Sequence, residues 1–439
     1  MGKAGTIVIL AAGAGTRFLS ARPKVCQLLC GRSLIGWVLE QARALEPERI
    51  VVVLGHGADE VRAVVEAEGR ALGFAERLRF VLQAERKGTG HAVLQALPEL
   101  GQGDPVVVLY GDMPLLTNAS LEALCAARAR AAMLTARVHK PRGFGRIVRV
   151  AGRFARVMEE KDCTREQKEI REVNLGVYAF ARADLERFLP RLTADNAQRE
   201  YYLTDVPALV LSDGGTVEAL ELEDEREAIG VNTIEHLSEA RSELQRRILA
   251  AHMGRGVYVE DPASTFIDHG VEIGAGARIL PCTVIRAGVK VGKDCEVGPF
   301  THLRAGTVLE DGAEVGNFTE AKNARIGEHT KAKHLSYLGD VTIGAHANIG
   351  AGTIVANYDG QQKHPTVIGE RAFVGSGSVL IAPCKVGAGA LTGGGAVVTR
   401  NSEIPPGEAW VGVPARPLVR KRDGSGGGGT PPPAKKGKV

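Results

Sequence analysis

The sequence has no Cys-x-x-Cys pair, no even set of cysteines and no apolar stretch long enough to span a bilayer. Its seven cysteines stand at 26, 30, 125, 163, 282, 295 and 384. An odd count without paired spacing excludes a zinc site and a disulfide framework, and implies free thiols in a reducing compartment. After one lysine and a glycine the chain enters an apolar run without a cleavage site, so the expectation is a cytoplasmic protein with no membrane partner. The net charge is only +4, and much of it sits in the last residues, which argues against a nucleic-acid partner. What is present is ordinary for a soluble globular chain: 44% hydrophobic and 24% charged residues, over 439 residues that suit two domains.

One stretch departs from the ordinary. Ile273, Ile279, Ile285, Val291, Val297, Leu303, Leu309 and Val315 recur at six-residue steps, often with glycine next, as at Gly274, Gly292, Gly298 and Gly316. A helix repeats every three or four residues and a lone strand every two. Six fits a solenoid of short strands, each with one inward aliphatic and a tight corner. The register returns at Ile343, Ile349 and Val355, and again at Ile368, Val374, Leu380 and Val386. Between Val315 and Ile343 it slips, in a segment holding Glu320, Lys322, His334 and Tyr337. Between Val355 and Ile368 lies Asn357-Tyr358-Asp359-Gly360, then Gln361 to Pro365, which reads as a loop thrown out of a corner. Solenoid corners tolerate insertions and commonly carry binding residues.

The first half reads differently. Thr6–Leu10 is an apolar strand ending in Ala11-Ala-Gly13-Ala-Gly15-Thr-Arg17. Glycines let backbone N–H groups approach an anion, and Arg17 and Lys24 supply charge. Neither a Gly-Lys-Ser/Thr loop nor a full dinucleotide fingerprint is present. Helical faces over 34–45, 58–72 and 90–97 alternate with strands at 50–54, 79–82 and 106–109, the last running into Tyr110-Gly111-Asp112. Alternation of this kind predicts an α/β, Rossmann-like domain with a mostly parallel sheet and ligands at the carboxyl ends of its strands. Strands at 146–150, 154–159 and 173–181 suggest a lid-like part contributing Gly145, Glu159 and Asn174, and helices follow near 203–211 and 234–253. The expected layout is a nucleotide-handling domain over 1–230, a connecting helix over 231–255, a β-helix over 256–420 and a flexible basic tail over 421–439.

Taken together, Leu10 to Arg17, Pro23-Lys24, Leu82-Gln83-Ala84-Glu85, Gly88-Thr89-Gly90-His91 and Tyr110-Gly111-Asp112 resemble the sugar-1-phosphate nucleotidyltransferases. The second half is similar to the bifunctional GlmU family through Asn317-Phe318-Thr-Glu320-Ala-Lys322, His334-Leu-Ser-Tyr337-Leu-Gly-Asp340 and the run from Asn348 to Gly360. The resemblance covers residues 5 to about 400. It implies a left-handed parallel β-helix, a homotrimer, Mg²⁺, and UTP and acetyl-CoA as substrates. It also implies two reactions: acetyl transfer to glucosamine-1-phosphate, and uridylyl transfer to N-acetylglucosamine-1-phosphate with release of pyrophosphate.

Carried over by position, the resemblance puts Arg17 and Lys24 on the triphosphate and has Gln83 and Gly88 read the uracil. Leu10, Ala12, Gly13, Thr89 and Tyr110 also contact the nucleotide. Asp112 and Asn232 hold the metal, and Gly145, Glu159 and Asn174 bind the amino sugar. In the β-helix it makes His334 the base that deprotonates the amine, with Glu320 orienting it. Arg304, Lys322, Tyr337, Asn348 and Lys363 bind the sugar phosphate, while Ala351, Asn357, Tyr358, Ser376 and Gly393 face the coenzyme. A lone histidine on a solenoid is ordinarily a solvated residue, and it is this basic company that singles out His334. Two positions depart from the family pattern: Leu175 stands where a threonine is common, and Gly393 where alanine is usual. The competing reading is a nucleotidyltransferase acting alone, with a β-helix used only for assembly or regulation.

Overall fold

The computed structural model describes residues 3–418, so the expected tail over 421–439 lies outside the described residues. Within them the chain forms two compact units: 3–251 with 267–269, and 252–266 with 270–418.

In the first unit, uninterrupted β-branched runs stack into the middle of a sheet. Thr6–Leu10 lies between Val106–Tyr110 and Arg49–Leu54, parallel to both, and Leu78–Leu82 extends the parallel edge. Strands buried on both faces have no polar side, which is why these segments read as continuous apolar runs. Alternate residues serve opposite cores. Ile7 and Ile9 pack with Ile35, Val38, Leu39, Val61 and Val65, while Val8 packs with Val93, Phe188, Leu203 and Val206 on the other face. Each such aliphatic contributes roughly 1.5–3 kcal/mol when fully buried. The helix Leu34–Ala44 starts where Ser33 accepts a hydrogen bond from the Gly36 N–H, and Thr117 caps Asn118–Ala126 in the same way through Ser120.

The sheet is mostly parallel, with an antiparallel insertion that the sequence did not announce. Glu172–Phe180 runs antiparallel between Val106–Tyr110 and Ala131–Arg137, and Val217–Glu221 adds a further parallel edge to Ala131–Arg137. Ala131–Arg137 and Val217–Glu221 hold only Thr135 and Val217 as β-branched residues, so it is tertiary pairing that makes them strands. The Gly145–Val150 and Arg153–Met158 hairpin joins the end of Glu172–Phe180 through Gly145 and Asn174. The segment expected as a helix near 203–211 is a tight turn, Leu203–Asp205, followed by the helix Val206–Ser212 with a proline in its first turn. The helix Ile234–Met253 buries Ala240 and Leu244 against Phe18, Leu29, Trp37 and Leu115 of this unit.

The second unit is a parallel β-helix with three sheets, one strand of each per coil. Strands stack eighteen residues apart, as Ile279 on Val297 and Ile285 on Leu303. The slip between Val315 and Ile343 comes from coils of seventeen residues, with Val315 on Ala332 and Ala321 on Leu338. There the inward slots are filled by Ala321, Ile326, Ala332 and Leu338, all fully buried. Two alanines replace bulky aliphatics, and the six-residue signal fades although the coil continues. The loop after Val355 lengthens one coil to twenty-five, so that Ile343 stacks on Ile368. All seven cysteines are unpaired. Among the described residues no helix is long and apolar enough to cross a membrane.

Candidate active sites

Leu10 lies beside Tyr110 in the parallel ladder, so the glycine loop and Asp112 leave the sheet at the same edge. Between them opens a cavity of about 310 Å³, lined by Leu10, Ala12, Gly13, Lys24, Gln83, Gly88, Thr89, Tyr110, Asp112 and Asn232 among others. This is where the carboxyl ends of parallel strands put ligands. The Lys24 ammonium bonds the Asp112 carboxylate and, at 2.9 Å, the Asn232 amide oxygen. Arg17 reaches the same Asn232 oxygen at 3.2 Å. Asn232 is held in place because the preceding Val231 N–H donates to the Asp112 carbonyl at 2.9 Å. The two oxygens thus converge on one cation.

Hard oxygen donors of this kind suit a divalent cation such as Mg²⁺, which takes one or two protein oxygens and completes its shell with water and phosphate. Asp112 and Asn232 supply two such oxygens, brought together on Lys24; among the described residues no group of three or more His, Cys, Asp or Glu is placed to hold a metal.

Gln83 is buried at the cavity floor, where its amide nitrogen donates to the Gly88 carbonyl at 3.0 Å and meets His91 Nδ1 at 3.0 Å. Its carbonyl oxygen accepts no hydrogen bond from another side chain among the described residues, and such an oxygen can only accept. Gly88 has φ +104, and a Cβ there would meet the Tyr201 carbonyl at 2.6 Å, so backbone geometry demands glycine. Tyr110 and Thr89 line the cavity together, and burial pushes the Tyr110 phenol well above the usual tyrosine range.

Deeper in the unit, Gly145 pairs with Asn174, and Glu159 accepts from Thr204 Oγ1 at 3.1 Å. Burial, with Asp162, Asp205 and Glu200 nearby, raises the Glu159 carboxyl above its ordinary value. Asn174 Oδ1 accepts from the Gly176 N–H at 3.1 Å. Gly176 sits at φ +76 under the Tyr110 ring, where a Cβ would come within 2.3 Å. Leu175, between them, is buried in the core rather than turned to solvent. Sequence reasoning missed Arg86 and Glu200, which also line the cavity. The wall carrying Glu200 is fixed by Gly90 and Tyr201 bonding each other's neighbourhood, Gly90 N–H to the Tyr201 carbonyl and Tyr201 N–H to the Lys87 carbonyl, each at 2.8 Å. Only the acidic residues Glu200 and Asp205, either side of Tyr201 to Thr204 and next to a helix start, could have signalled it.

In the β-helix, Glu320 and Tyr337 stack in one sheet, and His334 lies beside Asn317 in the neighbouring one. His334 is exposed at a strand end, just before the corner residue Leu335. The Arg304 guanidinium donates to Glu320 Oε1 at 2.7 Å. The structure therefore brings Glu320 to Arg304 and gives it no hydrogen bond to His334 among the described residues. Lys363 and then Arg304 crowd Lys322 and hold its amine below the usual lysine value. Tyr337 stands on the strand next to that of Lys322, and Asn348 on the strand next to that of His334; three cations packed this way suit an anion.

Ala351, Ser376 and the Gly393-Gly394-Gly395 run mark one corner over successive coils, with Gly377 N–H donating to the Ala351 carbonyl and Gly395 N–H to the Ser376 carbonyl, each at 2.7 Å. That corner is a strip of small residues. Gly393 itself faces Val411, whose Cγ1 would lie 2.7 Å from an added Cβ, which explains why alanine is absent there. Asn357 is buried with its amide donating to Asp340, while Tyr358 is exposed on the loop and its hydroxyl donates to the Gly360 carbonyl at 2.6 Å. Asp340, which anchors the loop, was not anticipated; its left-handed corner (φ 49) is the kind of position where a short polar side chain is common.

Comparisons with known proteins agree with this division. Residues 7–204 match the MobA-like NTP transferase domain, and residues 365–400 match the bacterial transferase hexapeptide (six repeats). The chain is 44% identical over 443 residues to the bifunctional protein GlmU of Azotobacter vinelandii, covering 92% of this chain and 95% of that one. It is 41% identical over 474 residues to the protein of the same name from Streptomyces avermitilis, covering 95% of each. Among solved structures, UDP-glucose pyrophosphorylase complexed with UDP-glucose is similar at 18% identity and a TM-score of 0.46, over 56% of this chain and 99% of that one.

Proposed function

The chain belongs to the bifunctional GlmU family, and from that premise we propose how its two sites divide the work of making UDP-N-acetylglucosamine. The enzyme is a glucosamine-1-phosphate N-acetyltransferase and an N-acetylglucosamine-1-phosphate uridylyltransferase in one chain. The left-handed β-helix carries the first reaction and the α/β unit the second.

In acetyl transfer the glucosamine amine attacks the thioester carbonyl, His334 takes the amine proton, and the coenzyme thiolate leaves. Imidazole suits this task because it can hold a proton or release it near neutral pH. Arg304, Lys322 and Lys363 hold the sugar phosphate, with Tyr337 and Asn348 beside them. Glu320 acts through Arg304, fixing the guanidinium against the phosphate. The corner at Ala351, Ser376 and Gly393 seats the extended arm of acetyl-CoA, with Asn357 and Tyr358 at its end.

In uridylyl transfer a phosphate oxygen of N-acetylglucosamine-1-phosphate attacks the α-phosphorus of UTP, and the bond to the bridging oxygen of pyrophosphate breaks. Positioning and charge neutralisation suffice, since no protein nucleophile is needed. Arg17 and Lys24 hold the triphosphate, and Asp112 and Asn232 would hold Mg²⁺, which neutralises phosphate charge when bound. The Gln83 carbonyl oxygen suits the uracil N3–H and would leave cytosine, an acceptor at N3, unpaired. Gly145, Glu159 and Asn174 take the sugar hydroxyls and acetamido group.

The observation that carries the two-site reading is the crowding of Lys322 by Lys363 and Arg304, with Arg304 held to Glu320 at 2.7 Å, in the coils that also carry His334. A β-helix used only for assembly has no use for three mutually repelling cations. Assembly is part of the reading too: Phe300 and Phe318 stack at 5.0 Å on successive corners, and both are at least half exposed, as is Leu335 on the next coil. Such an apolar ridge suits burial in a homotrimer. The localisation is cytoplasmic, in keeping with the free thiols. Thiol release from acetyl-CoA with glucosamine-1-phosphate, measured beside pyrophosphate release from UTP with N-acetylglucosamine-1-phosphate, tests the reading. Both should be robust, and thiol release without pyrophosphate release, or the reverse, would reduce the protein to one activity.

A further inference from the structure

The loop from Asn357 to Pro365 carries two residues assigned above to substrates, yet it stands outside the repeating coil. Its base is tied: Asn357 donates to Asp340, which also accepts from Asn323 at 2.7 Å, and the His364 N–H donates to the Asn357 carbonyl at 2.8 Å. Tyr358 and Lys363 bridge antiparallel across it. At the tip, Asp359 Oδ1 accepts from the N–H groups of Gln361 and Gln362 at 2.9 and 2.8 Å. Its other oxygen, Oδ2, lies 2.6 Å from His364 Nε2 and 3.2 Å from a guanidinium nitrogen of Arg400.

Arg400 comes from the corner after strand Val397–Val398. The same Arg400 nitrogen is also 2.8 Å from His364 Nε2. One ring nitrogen cannot both donate to the carboxylate and accept from the guanidinium. The carboxylate is the stronger acceptor, so Nε2–H points to Asp359 and the guanidinium completes the clasp through Oδ2. The carboxylate is accordingly held well below the usual aspartate range by the two tip N–H groups and by His364.

We infer that Arg400, acting through Asp359 and His364, is a positioning residue for acetyl transfer. It fixes the hairpin that presents Tyr358 to the coenzyme and Lys363 to the sugar phosphate. Arg400 touches neither substrate in this account, which rests on the acetyl-transfer reading of the β-helix. The clasp is half exposed, with Arg400 45% and Asp359 28% accessible, and the hairpin keeps its backbone bonds without it. Loss of Arg400 should therefore loosen the loop rather than unfold it, and weaken binding by about the fivefold factor that a partly exposed ion pair supports.

The test uses the full chain with Arg400→Ala and Arg400→Lys, read by thiol-release kinetics and by hydrogen exchange over 357–365. For Arg400→Ala the KM for glucosamine-1-phosphate and for acetyl-CoA should each rise about fivefold, with kcat within about twofold. Exchange at Gln361 and Gln362 should quicken, and pyrophosphate release should not change. Arg400→Lys, which keeps the charge but not the fork, should recover part of both effects. Faster exchange with unchanged KM values would show that loop order is not used in binding, and unchanged exchange would show that Arg400 does not hold the loop; either overturns the proposal. If the unaltered protein releases no thiol at all, the acetyl-transfer reading fails and the positioning role falls with it. The exchange data would still report whether the clasp orders the hairpin.

Discussion

Replacing His334 by alanine isolates one chemical step with little structural noise. The imidazole is exposed and has no side-chain hydrogen bond among the described residues. The backbone around it is held by other groups: Leu335 N–H donates to the Asn317 carbonyl at 2.8 Å, and Ser336 Oγ to the His334 carbonyl at 2.8 Å. Truncation therefore opens no cavity and orphans no buried partner, so stability should stay within about 0.5 kcal/mol. The loss should fall on the reaction instead. A positioned general base is worth about 10²–10⁴-fold, and at about 1.36 kcal/mol per decade this is roughly 3–5 kcal/mol of barrier.

The assay is thiol release at saturating acetyl-CoA and glucosamine-1-phosphate, with the melting temperature measured alongside. The variant should lose two to four decades in kcat at nearly unchanged KM for acetyl-CoA, because the imidazole meets the amine and not the nucleotide. Imidazole added to the medium should restore part of the rate. Pyrophosphate release from UTP and supplied N-acetylglucosamine-1-phosphate should be untouched. Nearly full thiol release by a well-folded variant would refute the assignment and leave His334 an ordinary solvated residue.

Other outcomes follow from the same geometry. Asp112→Ala removes the charged member of the oxygen pair that converges on Lys24, and should cut pyrophosphate release at least about a hundredfold while leaving thiol release near normal; equal loss of both activities in a folded protein would contradict the separation of sites. Glu159→Gln should weaken binding of the sugar phosphate in the uridylyl site yet raise thermal stability at pH 7. Burial raises this carboxyl above 4.5, so the folded unit binds the proton more tightly than the unfolded chain and loses stability as pH rises from 4.5 through the raised value. Glutamine removes that slope, and a variant less stable than the parent at pH 7 would speak against it. Phe318→Asp, on the exposed stacked corner, should shift the protein from trimer toward smaller species in light scattering, whereas an unchanged mass would place the interface elsewhere.

Much of this was readable from the chain because the signals are periodic or local. The six-residue aliphatic register marked the β-helix, and buried β-branched runs marked the parallel strands that bring Leu10 and Tyr110 together. Where the reading was incomplete, the cause is tertiary. Ala321 and Ala332 fill inward slots without an aliphatic signature, and Ala131–Arg137 and Val217–Glu221 become strands by pairing, the first with Glu172–Phe180 and the second with the first. Glu320 on Arg304 is a contact between coils, and no spacing along the chain distinguishes it from a contact with His334. The clasp of Asp359, His364 and Arg400 joins residues about forty apart, which only the winding of the coils brings together.

Two separate sites in one chain working in succession would release a free intermediate between them. Mixing the two single-site variants tests it most directly. Neither Asp112→Ala nor His334→Ala alone should convert glucosamine-1-phosphate, acetyl-CoA and UTP to UDP-N-acetylglucosamine at more than a small fraction of the parent rate. Combined in one vessel they should make it, after a lag in which N-acetylglucosamine-1-phosphate accumulates and is then consumed. A mixture as silent as its components, with each variant still folded, would mean that the two sites do not work in succession through a free intermediate.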